Sequence, residues 1–317
     1  MKRCVILLAI CTLLLCSCAS PTENSYEEQG LNIVATIFPA YDLAREICGD
    51  TAHITMLIPP GSEIHSYEPT PQDIIKINSC DIFICNGGES EAWVAEVLAG
   101  AENADMTVIY MLDCVDAVEE ETKEGMQLAS HAGEHEEEEE EPEYDEHVWT
   151  SPVNAQLISR AICSAAAEAD PDNARGYLAA CEAYCARLSE LDAAFRGAVE
   201  RASRDTLIFA DRFPVRYFTE EYGLDYYAAF SGCADDAEPS AKTVAFLIDR
   251  VREDSTPAVL YIEFSNEKMA DVICEDTGCR KLLFHSCHNI SKSDLESGAS
   301  YLSLMWGNVK TIEEALG

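Results

Sequence analysis

The sequence predicts an α/β protein with two lobes, each a four-stranded, mainly parallel sheet with flanking helices, joined by one long rigid linker helix. Short β-branched runs alternate with amphipathic segments from residue 31 onward, as they do in βαβ units. This alternation occurs twice, with four strand-like runs in each half of the chain. Between the halves, a helical pattern of apolar residues continues from 173 to 203.

The first half, residues 31–170, is expected to form the N-terminal lobe. Its strand-like runs lie at 32–38, 53–58, 81–85 and 106–112. The segments between these runs have helical spacing and lie at 39–49, 71–78 and 90–100. The sequence therefore predicts a parallel sheet with helical crossovers.

The linker helix is predicted over 171–203 and contains about 30 residues. Asp170, Pro171 and Asp172 supply the cap and first-turn chemistry for its start. At 1.5 Å per residue the helix would be roughly 45 Å long. Such a length favours a rigid spine over a flexible hinge.

The second half, residues 204–317, repeats the pattern and is expected to form the C-terminal lobe. Its strand-like runs lie at 206–210, 226–230, 258–263 and 280–285. Its helical segments lie near 214–222, 239–252, 266–277 and 294–315. Two similar α/β lobes follow from this repetition.

Residues 116–146 interrupt the rhythm of the first half. They contain 15 acidic residues and one Lys, a local charge of −14. Like charges at this density resist packing, so the sequence predicts a mobile acidic loop.

The composition excludes several classes of protein. The chain has 317 residues and a formal net charge of −37, from 21 Lys+Arg against 58 Asp+Glu. Such acidity argues against a nucleic-acid partner, because phosphate contacts need clustered Lys and Arg. The sequence also contains no P-loop or G-x-S-x-G motif, and no G-x-G-x-x-G in the right context. We therefore expect neither nucleotide-phosphate nor acyl-transfer chemistry.

The N-terminus predicts export. Residues 1–17 have a positively charged start and an apolar run too short to span a bilayer, which is typical of a signal peptide. Cys18 follows the small residue Ser17 as in a bacterial lipobox, so we expect lipidation of Cys18 and a lipidated tether over 18–30. The alternative is an ordinary secreted protein with a chance cysteine. The expected location is the outer face of the cell membrane, which is periplasmic in a Gram-negative cell.

Several metal-binding residue types follow predicted strands. His65 lies in a loop rich in Pro and Gly, His147 follows the acidic loop, and His285 ends a strand. Asp211 comes directly after a strand, and Glu263 ends another. The carboxyl ends of parallel strands meet at one edge of a sheet, where ligands of α/β proteins bind. Three imidazoles and a carboxylate suit Zn²⁺, with Mn²⁺ or Fe²⁺ as alternatives.

Each of these residues also has a structural interpretation. A lone loop histidine more often forms a hydrogen bond than binds a metal, and only the grouping at strand ends favours a metal site. For Glu263 we expect a structural ion pair, or support of a ligand, rather than direct coordination. His288, three residues after His285, is the alternative imidazole of the second half.

Five stretches of the sequence carry a family resemblance. They are IVATIFPAYDLAREICGD, IPPGSEIHSYEPTPQDIIKINSCDIFICNG, HVWTSP, YFTEEYGL and AVLYIEFSNEKMADVICEDTGCRKLLFH. Together they resemble the solute-binding lipoproteins of zinc and manganese ABC importers, the ZnuA-like family. The resemblance implies two lobes with one metal ion in the cleft between them. It also implies a monomer that performs no catalysis and hands its metal to an ABC permease with an ATPase.

The resemblance also implies a ligand set. His65 matches the first ligand of the family and His147 the second. The third is normally a His, but strict spacing from the YGL motif reaches Arg212, and Asp211 substitutes if the loop is shifted by one residue. The fourth, counted eight positions after the Thr of a Thr-Gly pair, is His285. The family's His and Asp would then have exchanged places.

The predicted function is capture of Zn²⁺ for an ABC importer. The first alternative is the same role for Mn²⁺. A surface lipoprotein for metal storage or adhesion is the second, because the acidic loop could hold several weakly bound ions. A metal-dependent hydrolase is the third, and it would need an open coordination position and a base such as Glu263.

Overall fold

In the part of the chain that the structure describes, eight parallel strands form two four-stranded sheets, which confirms the predicted fold class. The computed structural model describes residues 30–62, 64, 66–127, 143–232 and 239–317. The predicted signal peptide, Cys18 and all of the tether except its last residue lie outside the described residues, as does His65.

The first sheet has the strand order β2-β1-β3-β4. Its strands are β1 (Leu31–Ala35), β2 (Ala52–Met56), β3 (Ile82–Cys85) and β4 (Thr107–Tyr110). Its crossover helices are α1 (Phe38–Cys48), α2 (Pro71–Asn78) and α3 (Trp93–Ala99). Helix α2 begins with a capping box, in which Thr70 and Asp73 each bond the other's backbone N–H.

Two helices connect the sheets. Helix α4 (Pro152–Ala169) is followed after a short turn by α5 (Ala174–Arg201). The 28 residues of α5 give a length of about 42 Å. Its apolar side, which includes Leu188, Leu191 and Phe195, is fully buried. The long helix thus has the packing expected of a rigid connection, whereas the domain boundaries at 170 and 203 stay predictions.

The second sheet has the equivalent order β6-β5-β7-β8. Its strands are β5 (Thr206–Phe213), β6 (Asp225–Ser231), β7 (Ala258–Tyr261) and β8 (Arg280–Leu283). The helices of this half are α6 (Arg216–Tyr222), α7 (Ala241–Asp254), α8 (Lys268–Thr277), α9 (Lys292–Glu296) and α10 (Tyr301–Leu316). None of the helices in the described part of the chain is long and apolar enough to cross a membrane.

The C-terminal helix differs from its prediction. A single helix over 294–315 was expected, but the chain forms α9 and α10 with a break between them. Gly298 has a φ of 83°, a left-handed conformation that ends the first helix. Ser300 then begins the second, because its hydroxyl accepts a hydrogen bond from the backbone N–H of Ser303.

The acidic segment is anchored at both ends, so the prediction of a mobile loop over all of 116–146 is wrong there. Glu119 and Tyr144 form an antiparallel bridge, and Gln127 forms a parallel bridge with Phe230 of β6. Lys123 forms an ion pair with Asp225 at the start of β6. Backbone pairing thus overrides charge repulsion at these positions. Residues 128–142 lie outside the described residues.

One hydrophobic cluster extends through both halves of the fold. It includes Trp149, Phe284 and Tyr301, all fully buried. The Tyr301 hydroxyl donates to the Trp149 carbonyl over 2.6 Å, and the Trp149 indole donates to the Ser286 carbonyl over 2.9 Å. These contacts hold the segment around residue 149 against the loop that follows β8.

Candidate metal site

A cavity that opens to solvent lies between the loops that follow the strands of the two sheets. Residues of both halves line it, among them Ser62, His147, Arg212, Glu263, His288 and Asn289. The cavity is therefore at the position where ligands of α/β proteins bind.

His147 is fully buried in the wall of this cavity. Its backbone N–H donates to Asp145 Oδ1 over 2.8 Å, and its ring Nδ1 lies 3.2 Å from the same oxygen. Burial lowers the pKa of His147, but the carboxylates of Asp145, Glu146 and Glu120 outweigh it and raise the pKa above its ordinary value. When the neutral ring donates from Nδ1, it presents the lone pair of Nε2, which is the form that binds a cation.

Gly232 approaches the His147 ring closely. A Cβ atom at residue 232 would lie 2.9 Å from His147 Cε1 and 3.0 Å from the carbonyl oxygen of Phe213. Since real Cβ atoms do not approach so closely, only glycine fits here without moving the ring. Because residue 232 has no side chain, the His147 ring can occupy this position.

His288 is the histidine of the second half that lies beside His147. The two ring centroids are 5.0 Å apart, and the His288 ring also lies 4.9 Å from that of Trp149. The preceding residue, Cys287, is buried and has a φ of 62°, which is uncommon for a residue with a side chain. The chain therefore turns sharply at Cys287, between His285 and His288, which lines the cavity.

His285 does not line the cavity. Its ring Nδ1 accepts a hydrogen bond from the backbone N–H of Cys287 over 3.0 Å. Asn308 fixes its backbone, donating to the His285 carbonyl and accepting from the His285 N–H, both over 2.8 Å. A neutral imidazole has one nitrogen lone pair, and His285 uses it in the bond to Cys287. In this arrangement, His285 would have to lose that bond or become an imidazolate anion to bind a metal.

Asp211 does not line the cavity either. It was expected to follow a strand that ends at 210, but β5 continues to Phe213 with an irregular register between Phe209 and Arg212. Its carboxylate accepts hydrogen bonds from the backbone N–H groups of Arg212, over 2.8 Å, and Ile262, over 3.2 Å. Burial raises the pKa of Asp211. The carboxylate thus braces β5 against the end of β7.

Glu263 lines the cavity and holds the loop after β8. Its two carboxylate oxygens accept hydrogen bonds from the Ser286 N–H over 2.7 Å and from the Ser286 hydroxyl over 2.6 Å. The His285 ring Nδ1 lies 3.6 Å from the same carboxylate. These contacts fix the position of Ser286, and the role of Glu263 in supporting a ligand stays a prediction.

The structure brings together only part of the predicted ligand set. His147 lines the cavity, Asp211 and His285 lie behind its wall, and His65 is outside the described residues. Within the described ranges, no group of three or more His, Cys, Asp or Glu side chains is arranged to hold a metal ion. The set of four therefore stays a prediction. Sequence reasoning placed the end of β8 at His285, whereas the strand ends at Leu283.

Comparisons with known proteins identify the family. The family model of ZnuA, the periplasmic component A of a zinc-uptake complex, matches residues 33–315. The chain belongs to the ZnuA family. It is 30% identical over 314 residues to the high-affinity zinc uptake system protein ZnuA of Bacillus subtilis, covering 98% of this chain and 96% of that protein. It is 29% identical to the zinc-binding lipoprotein AdcA of Streptococcus pneumoniae, of which it spans 61%.

Solved structures support membership of the ZnuA family. The Zn(II)-bound ZnuA-like domain of Streptococcus pneumoniae AdcA superposes with a TM-score of 0.72 at 26% identity, covering 90% of this chain and 99% of that one. The metal-dependent lipoprotein YcdH of Bacillus subtilis gives a TM-score of 0.76 at 26% identity, with 90% and 100% covered. The two-lobed architecture is therefore that of the ZnuA fold.

Proposed function

We propose that this chain is an extracytoplasmic solute-binding protein that captures Zn²⁺, delivers it to an ABC permease with its ATPase, and performs no catalysis. The match to the ZnuA family over residues 33–315 carries this proposal. Its relatives include a high-affinity zinc uptake protein and a protein solved with Zn(II) bound. The cavity between the two sheets, lined by His147 and His288, supplies a place for the ion.

The proposed ligands are imidazoles from both halves. His147 and His288 face the cavity. His65, which matches the first ligand of the family and follows β2 in the sequence, is predicted to complete the three imidazoles. Neutral imidazole nitrogens suit a borderline-soft ion such as Zn²⁺, whereas Mn²⁺ prefers more oxygen. We assign Asp211 and His285 to support of the site, because neither lines the cavity and the ring Nδ1 of His285 already accepts a hydrogen bond from Cys287.

The cellular context is also proposed. Cys18 would carry the lipid that tethers the protein to the outer face of the membrane, because its sequence context resembles a lipobox. The AdcA relative is named a zinc-binding lipoprotein, which supports this proposal. We propose a monomer, in keeping with the family resemblance.

The test is a calorimetric titration of Zn²⁺ and Mn²⁺ into metal-free protein lacking residues 1–18. We expect one tight Zn²⁺ site and weaker Mn²⁺ binding. His288→Ala removes a proposed ligand and should weaken Zn²⁺ binding by more than about 100-fold, whereas the matched variant His285→Ala removes a supporting group and should weaken it less, by about tenfold to 100-fold.

Each other result has a distinct meaning. A large loss in His285→Ala with little change in His288→Ala would restore the ligand set predicted from sequence. Tighter binding of Mn²⁺ than of Zn²⁺ would favour the manganese carrier. Several weak sites would favour metal storage, and absence of any tight site would reject the carrier function.

A further inference from the structure

Asn289 joins the loops that follow β2 and β8. It directly follows His288, lines the cavity and is 3% exposed. Its side-chain Nδ2 donates to the carbonyl oxygens of Ser62, over 2.7 Å, and Pro59, over 3.2 Å. Its Oδ1 accepts from the Ile290 N–H over 2.7 Å. The amide nitrogen and the amide oxygen of Asn289 therefore both form hydrogen bonds. The two donated bonds go to residues 59–62 of the first half of the chain.

The loop at 59–62 is shaped to receive this amide. Ser62 N–H donates to the Pro59 carbonyl over 3.1 Å, and Gly61 between them has a φ of 78°. This tight turn brings the two carbonyl oxygens within reach of a single NH₂ group. Among the described residues, both hydrogen bonds that join 59–62 to the second half of the chain come from Asn289.

The position of this contact gives it a functional consequence. Three residues after Ser62 the chain reaches His65, the predicted first ligand, while Asn289 adjoins His288. The proposed ion takes ligands from both loops, so separation of the loops would favour its release. Separation would break both bonds and take both acceptors away from the buried Asn289 amide, which is unfavourable.

We propose that Asn289 is a positioning residue that fastens the turn at 59–62 to the loop after β8 and thereby slows release of the metal ion. This inference rests on the proposed function as a metal carrier. Asn289 does not itself bind the ion, because its side-chain oxygen and nitrogen are both engaged with backbone groups. Its effect should therefore fall on the dissociation rate more than on the association rate.

The variant Asn289→Asp tests the proposal with almost no change of shape. A carboxylate cannot donate, and it would face two carbonyl oxygens. The matched control is Asn103→Asp, because Asn103 Nδ2 donates to the Cys80 carbonyl over 2.9 Å within the first half of the fold, away from the cavity. Asn289→Ala is the second variant, which removes the donor without adding charge if the aspartate variant fails to fold.

Two measurements are made on wild type and variants without residues 1–18. The first is the rate of Zn²⁺ release into excess chelator by stopped flow. The second is amide hydrogen exchange of the 59–67 peptide in metal-free protein, which reports the contact even without metal. We expect Asn289→Asp to release Zn²⁺ at least about tenfold faster and to exchange faster over 59–67, with association nearly unchanged and Asn103→Asp like wild type.

The outcomes separate this inference from the proposed function. If the wild type binds one Zn²⁺ tightly but Asn289→Asp releases it no faster than Asn103→Asp, the role of Asn289 is overturned and the carrier function stands. If both variants release Zn²⁺ faster, the effect is one of general stability and the role is overturned as well. If the wild type holds no Zn²⁺, the carrier function fails, and a role for Asn289 in metal release fails with it.

Discussion

At the scale of single residues, the use of lone pairs separates candidate ligands from supporting groups. His147 has its Nδ1 beside Asp145, so a neutral ring that donates from Nδ1 carries its lone pair on Nε2. His285 has its Nδ1 lone pair in a bond from Cys287. Two buried histidines of the same region thus differ in their capacity to bind metal because of one backbone N–H group.

Gly232→Ala is expected to weaken Zn²⁺ binding by displacing the His147 ring. The added methyl group would overlap His147 Cε1 and press on the Phe213 carbonyl. We expect a loss of affinity of about tenfold to 100-fold, the range found when a ligand's support is disturbed. Calorimetry with Zn²⁺ checks this. Gly307→Ala is the control, because a Cβ there meets nothing within 4 Å, and it should instead stabilise α10 by up to about 1 kcal/mol.

Glu91→Gln is expected to reduce the dependence of stability on pH. Burial raises the pKa of Glu91 to about 7, although the N–H groups of Asn86 and Gly87 donate to its carboxylate. A folded-state pKa above the unfolded value means that stability falls as pH rises from about 4.5 to 7, by about 3 kcal/mol in total. Glutamine resembles the protonated acid and does not ionise, so the variant should not lose stability through this residue as pH rises.

The measurement for Glu91 is urea unfolding of both proteins at pH 5 and pH 8. The free energy of unfolding of wild type minus that of the variant should fall by about 1 kcal/mol or more between pH 5 and pH 8. Taking this difference cancels the contributions of the other titrating groups, which the two proteins share. An equal difference at both pH values would show that Glu91 ionises normally in the folded protein.

At the scale of elements, the sequence predicts what depends on local pattern. All eight strands of the described residues overlap the strand-like runs of the sequence, because alternation between strand and helix patterns is a property of neighbouring residues. The break between α9 and α10 was missed, although Gly298 and Ser300 are local signals for it. The extension of β5 through Asp211 was missed for another reason. It depends on pairing with β6, which a single segment does not reveal.

The candidate site was predictable only in part for the same reason. That His147 would face a cleft follows from its place after the acidic segment and from the family resemblance. The choice between His285 and His288 depends on the positive φ of Cys287 and on the Asn308 side chain, which comes from a distant helix. Such contacts between distant segments have no signature in local spacing.

The ends of the acidic segment make an element-scale prediction. Tyr217 on α6 donates its hydroxyl to the Asp145 carbonyl over 2.9 Å and accepts from the Val118 N–H over 3.2 Å. Tyr217→Phe should therefore loosen both ends, raising hydrogen exchange of peptides covering 116–127 and 143–146 and lowering stability by about 1–3 kcal/mol. Tyr144→Phe is the control, since Tyr144 is 46% exposed in the same segment. Equal exchange in the two variants would contradict the anchoring role.

At the scale of the whole molecule, the net charge of −37 should govern how fast a cation arrives. An acidic protein attracts Zn²⁺ over distances of about a Debye length, roughly 30 Å at 0.01 M salt and 3 Å at 1 M. Association should therefore slow by about tenfold or more between 0.02 M and 0.5 M NaCl, while dissociation changes little. Stopped-flow mixing of Zn²⁺ with metal-free protein measures both rates.

The contribution of the acidic segment to Zn²⁺ association can be tested by substitution, without removing the packed ends of the segment. Residues 128–142 contain seven glutamates, at 134 and 136–141. Changing all seven to Gln keeps the length of the chain and reduces the negative charge by seven. We expect slower association at 0.02 M NaCl, a smaller difference from wild type at 0.5 M, and an equilibrium affinity within about threefold at the higher salt, since salt screens long-range attraction between charges. An affinity that collapsed at both salt concentrations would instead mean that one of these glutamates binds the ion directly, and the site would then need a ligand from this segment in addition to the imidazoles.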